Sequence, residues 1–162
     1  MASKTATRKP TNNQSDLDAI DGKWTDDEIA AMKEHARELK TAKGRTTQAE
    51  KDAEGEADVV KKIKEMPEDD RAIAQRIHEI VKSSAPGLTA RTYYGMPAYA
   101  KDGKVVAFYK PAFKFKGRYG TLGFEDQAAL DDGEMWPTSY ALTKLTPAAE
   151  KKIAEILKKA AG

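Results

Sequence analysis

No cysteine occurs anywhere in the 162 residues. Disulfides, thiolate zinc sites, cluster ligation by cysteine and cysteine nucleophiles are thereby excluded. Histidine is nearly as scarce, with only His35 and His78. A strong excess of either charge is also missing: 28 basic residues against 26 acidic ones leave a net charge of +2. A dedicated nucleic-acid binder concentrates basic charge, so this balance does not call for a nucleic-acid partner. No apolar run is long enough to span a bilayer, and the polar start MASKTATRKPTNNQSD has no secretory core. The expectation is a cytoplasmic protein without a membrane partner.

What is present is unevenly spread. Hydrophobic residues make up 40% and charged ones 33%, a polar balance that points to a folded part with solvated extensions. Residues 1–23 carry almost no large apolar side chain and read as a disordered tail. Residues 24–57 read as a helical extension. Thr25-Asp26-Asp27-Glu28 is a capping box, and Ile29, Met32, Ala36 and Leu39 recur on one helical face up to about Lys43, with Gly44 as the stop. The stretch from Arg45 to Asp58 is very polar, and Gly55 is expected to interrupt any helix there.

The main domain is expected over 58–162. Val59, Val60, Ile63 and Met66 open an apolar face, and Pro67 suits the first turn of a following helix. Ile73, Ile77, Ile80 and Val81 then give a clear amphipathic pattern. Strand-like sequence follows from Thr89 to Tyr94. Asp102-Gly103 reads as a two-residue hairpin turn before a nearly continuous apolar strand at Val105–Tyr109. Phe113-Lys114-Phe115-Lys116 alternates like a half-wet strand, Tyr119–Phe124 reads as another strand, and Glu125–Leu130 as a short helix. After Trp136-Pro137 an extended piece covers Thr138–Leu142. Thr146 and Pro147 start a last helix, with Ile153, Ile156, Leu157 and Ala160 inward and Lys151, Lys152, Lys158 and Lys159 on a solvated face. The predicted class is α+β: a mainly antiparallel sheet with packed helices and an N-terminal helical extension.

A catalytic constellation does not emerge. Both histidines fall beside or away from their helices' apolar stripes and are expected to be exposed. The glycines at 117, 120 and 123 sit in strand-like sequence and open no helix, which suits close backbone packing better than a phosphate loop. Asp131, Asp132 and Glu134, with Asp126 nearby, offer hard oxygen ligands to iron or another such cation. The same residues also suit a helix-ending turn around Gly133. Tyr94, Met96, Tyr99 and Trp136 could line a pocket with hydroxyl tips, or could belong to the core. Gly95 and Pro97 bracket Met96 and bend the backbone, either as a plain turn or as the floor of a cleft.

Tyr94-Gly95-Met96-Pro97-Ala98-Tyr99, the Asp102–Val106 hairpin, Tyr119–Phe124 and the run from Leu130 to Ser139 together resemble the YdhG-like family, also called the domain-of-unknown-function 1801 family. The resemblance covers roughly residues 58–160. It implies a small antiparallel α+β fold. It also implies, since some members are labelled frataxin-like iron chaperones, a non-catalytic role delivering iron to iron–sulfur cluster or haem assembly proteins. The resemblance brings no catalytic residues with it. A small-molecule-binding module or a protein-interaction domain built on the aromatic residues is the alternative.

Overall fold

The computed structural model describes residues 24–43 and 47–162. The expected tail at 1–23 and the Gly44 helix stop lie outside them. The helices are α1 (Asp26–Lys43), α2 (Gln48–Lys64), α3 (Glu68–Ser84) and α4 (Pro147–Ala161). The strands β1 (Thr89–Tyr93), β2 (Met96–Lys101), β3 (Lys104–Lys110), β4 (Gly120–Phe124) and β5 (Ser139–Leu142) form an antiparallel meander in that order. The fold is α+β with packed helices.

Helix starts follow local chemistry. In α1 the Glu28 amide donates to Thr25 Oγ1 at 3.2 Å and the Thr25 amide to the Glu28 carboxylate at 3.0 Å, closing the expected capping box. The same reciprocal pair recurs at Thr47 and Glu50, which starts α2. Thr146 caps α4 by accepting from the Ala149 amide, with Pro147 in the first turn. Contrary to expectation, α2 runs straight through Gly55, so the boundary drawn at residue 57 falls inside a helix. Gly55 is an approach point: an added Cβ would overlap the Ala90 carbonyl oxygen of β1. The missing side chain lets α2 lie against the edge strand, and one covered edge removes a site of unwanted strand pairing.

Pairing partners share a face, which fixes the layering. Ala90 pairs with Tyr99, Tyr99 with Ala107, Ala107 with Phe124 and Tyr109 with Leu122. These residues are buried with Val59 and Ile63 of α2, Ile73, Ile77 and Val81 of α3, and Ile153 and Leu157 of α4. Each such fully buried aliphatic side chain stabilises the fold by about 1.5–3 kcal/mol. Between the Tyr99–Ala107 and Ala100–Val105 pairs, Val106 has no partner. This bulge turns Val106 into the core, where it is buried. Pro97 has no N–H to give the next rung toward β3, and pairing with β3 starts at Ala98.

Two further expectations are corrected. Phe113–Phe115 is a short 3-10 turn instead of a strand. The buried Asp70 carboxylate accepts from the Ala112 amide at 3.0 Å and the Phe113 amide at 3.1 Å, which curls the chain; the Tyr109 hydroxyl donates to it at 3.4 Å. Residues 125–130 are turns instead of a helix, because the Ala129 amide donates across to the Ala160 carbonyl of α4 at 3.0 Å. The glycines of β4 are covered by rings, as close packing requires. A Cβ at Gly120 would strike Tyr109, and one at Gly123 would strike Phe108.

Gly55→Ala tests the approach of α2 to β1. In an exposed helix this exchange stabilises by about 1 kcal/mol; here the overlap should reverse the sign. Urea unfolding should show a loss of at least about 1 kcal/mol, and a gain would mean that α2 is not seated as described.

Candidate functional site

The connection between β4 and β5 carries the acidic residues. The Phe124 amide donates to the Thr138 carbonyl at 2.8 Å and closes the base of the loop, while the Glu125 amide donates to Val106 at 3.0 Å. Gly133 takes φ of 68°, which its missing Cβ permits, and turns the chain back. The result is an open hollow of about 470 Å³. Phe124, Ala128, Leu130 and Trp136 supply its apolar lining, and Glu125, Asp126, Asp131 and Glu134 supply four carboxylates. Asp132 faces the other way, into a smaller hollow shared with Trp136, Tyr140 and Lys159. Of the three predicted ligands, the loop thus brings Asp131 and Glu134 together and separates Asp132. Among the described residues no group of three or more His, Asp or Glu side chains is gathered closely enough to chelate a metal ion. A cation here would keep part of its water shell. Met135 stands at the rim, 89% exposed.

The four aromatic-site candidates do not converge. Met96 and Tyr99 are three residues apart on β2 and therefore point to opposite faces of the sheet. Tyr99 is 1% exposed and belongs to the core. Tyr94 lies in the β1–β2 turn, and Trp136 packs at the opposite end of the strand order beside β5. A shared pocket built from these residues is therefore not formed. A larger cleft of about 620 Å³ runs between α1 and α2 over β1. Its walls mix both signs of charge, Glu34, Asp52, Arg37, Lys51 and Arg91 among them, so it offers no single-sign field to a ligand.

Both histidines correct the expectation of exposure. His35 is half-buried and stacks on Tyr94, with ring centroids 4.0 Å apart and planes 16° from parallel. His78 is 8% exposed and bridges two elements. Its Nδ1 lies 3.0 Å from the Tyr99 hydroxyl and its Nε2 2.8 Å from the Glu56 carboxylate of α2. Lys82 pairs with the same carboxylate. Burial pushes the Tyr99 hydroxyl far above the usual phenol range, and the Glu56 charge adds to that. Tyr109 is raised in the same sense by burial and by Asp70. A carboxylate–imidazole–hydroxyl chain resembles a catalytic relay, but a nucleophile must meet its substrate. Sealed in the core, Tyr99 cannot, so the chain ties α2, α3 and the sheet together.

The sequence held a signal for this network. Asp70, Ala74 and His78 follow one another at four-residue spacing beside the Ile73–Ile77 row, so a stripe one residue wider includes both polar groups. Compared with known proteins, the chain matches no family model, no curated protein and no solved structure. Among the described residues no helix is long and apolar enough to cross a membrane.

Glu56 gives the network a pH signature. Burial raises its carboxyl, but the hydrogen bonds from Lys82 and His78 outweigh that and hold it below the ordinary value of 4.5. A depressed carboxyl adds stability above its unfolded value and loses it as pH falls through the folded one. Glu56→Gln should therefore lower the urea midpoint at pH 7, and the gap to wild type should close as pH falls below about 4. A gap independent of pH would contradict the assignment.

Proposed function

We propose that this is a non-catalytic metal-delivery protein whose cargo is ferrous iron, held weakly at the acidic hollow between β4 and β5. The observation that carries the reading is the gathering of Glu125, Asp126, Asp131 and Glu134 around one concavity. Carboxylate oxygens suit a hard divalent cation. Four of them around an open hollow attract the ion without stripping its water, which gives modest affinity and fast release. A carrier that hands on its metal needs both properties. Trp136 in the wall supplies an apolar side and an optical reporter.

The resemblance of the Tyr94–Tyr99 and Leu130–Ser139 segments to the YdhG-like family, with its frataxin-like iron chaperones, supports the same reading. On that basis the recipients are iron–sulfur cluster or haem assembly proteins, and the chain acts in the cytoplasm. The burial of Tyr99, the hydroxyl in the His78 relay, also favours delivery over catalysis.

Anaerobic calorimetric titration with ferrous iron is expected to show saturable binding with a dissociation constant on the order of 10⁻⁵ M. The Asp126→Asn/Asp131→Asn/Glu134→Gln variant should bind at least about tenfold more weakly. Asp132→Asn should be nearly neutral, because Asp132 faces the other hollow. Absence of saturation, or equal binding by the triple variant, would overturn the proposal.

A further inference from the structure

The turn that joins β1 to β2 has the backbone of an anion receptor. Tyr94 and Gly95 both adopt left-handed conformations, with φ of 51° and 75°. Successive residues so arranged turn their N–H groups into one concavity, which suits a negative group. Here the negative group comes from α1. Glu38 accepts from the Gly95 amide with one carboxylate oxygen at 2.8 Å and from the Tyr94 amide with the other at 3.1 Å.

One helical turn earlier, Glu34 lies on the same side of α1. Its two oxygens meet Lys62 of α2 and Lys114 of the 3-10 turn, each at 3.2 Å. The His35 ring of α1 lies flat on Tyr94. The receiving surface therefore comprises two amides, two ammonium groups and an aromatic face. The apolar contribution of α1 comes from its first half: Ala31 is buried and Ile29 and Met32 are partly buried, but Leu39 is 48% exposed. Charge complementarity thus joins apolar contact in seating this helix, and exposed parts of the charged contacts weaken with salt.

We propose that this surface is a recognition site for an acidic helix of a partner protein, carrying two carboxylates four residues apart, and that α1 fills it as an internal ligand in the resting chain. The chemistry required of the partner is read from α1 itself: a carboxylate for the turn amides, and a second one turn away for Lys62 and Lys114. Being tethered, α1 competes at high effective concentration. The partner's apparent affinity is accordingly reduced by the fraction of chains in which the site is closed. Weakening α1 should therefore expose binding that the intact chain conceals.

The test uses the full chain at low ionic strength and a fluorescent synthetic peptide with the sequence of residues 24–43, read by anisotropy. Glu34→Gln/Glu38→Gln removes the internal anions and leaves the receiving groups in place. It should bind the peptide at least about tenfold more tightly than wild type does. A peptide with glutamine at both acidic positions should not bind, and adding Lys114→Ala to the double variant should abolish binding of the acidic peptide. Thermal melting followed by circular dichroism checks the fold. Should the double variant fail to melt cooperatively, Glu38→Gln alone, which keeps the Glu34 ion pairs, must show a smaller gain in the same direction. Equal binding by wild type and variants, or indifference to the glutamine exchange in the peptide, would overturn the proposal.

Discussion

Two consecutive residues with positive φ, Tyr94 and Gly95, are the constraint on which much of this structure turns. A two-residue connection of this hand matches the twist of paired strands, so it fixes the register in which Tyr93 faces Met96 and Ala90 faces Tyr99. That register decides which side chains of β1 and β2 enter the core. Slipping it by one residue would carry Tyr99 to the other face and break its bond to His78. The same backbone conformation frees two amides, and α1 attaches to them through Glu38. Gly95 cannot be replaced cheaply, since its φ of 75° is a conformation that residues with a Cβ rarely adopt, and a Cβ there would also displace the Glu34 carboxylate.

The core is apolar, but two buried polar groups, Asp70 and His78, set the positions of its layers. Asp70 holds the start of the 3-10 turn against α3. His78 links α3 to α2 through Glu56 and to the sheet through Tyr99. Such buried groups have partners because an unpaired one would cost about 1–3 kcal/mol. With α2, α3 and α4 seated on one face of the sheet and α2 against the β1 edge, the longest connection, between β4 and β5, is left to loop outward. That loop is where the carboxylates collect, so the acidic hollow follows from the topology as well as from composition.

Much of the architecture was legible because it rests on local chemistry. Capping at Thr25 and Thr146, the Ile73–Val81 stripe and the Asp102-Gly103 turn each read correctly from a few neighbouring residues. The misreadings share a cause: the deciding partner lies far along the chain. Gly55 reads as a helix breaker until Ala90 is seen to pack against it, even though Thr47-Gln48-Ala49-Glu50 repeats the capping pattern of Thr25–Glu28. Phe113–Lys116 alternates like a strand, but Asp70, more than forty positions away, captures the amides of Ala112 and Phe113 at its start. The acidic loop was visible as a cluster, and only the fold separates Asp132 from Asp131 and Glu134. The aromatic candidates were grouped because each lies in or beside the predicted sheet, and the two faces of β2, with Trp136 beside the far strand, undo that grouping.

The central claim is that the Tyr94–Gly95 amides are engaged by a carboxylate from α1, and native-state hydrogen exchange of the unmodified chain tests it most directly. The chain carries its own control: Asp102–Gly103 is a hairpin turn of the same hand, with φ of 51° and 78° and open space beside Gly103. If Glu38 holds the first turn, the Gly95 amide should exchange at least about tenfold more slowly than that of Gly103. Equal and rapid exchange at the two glycines would contradict the account.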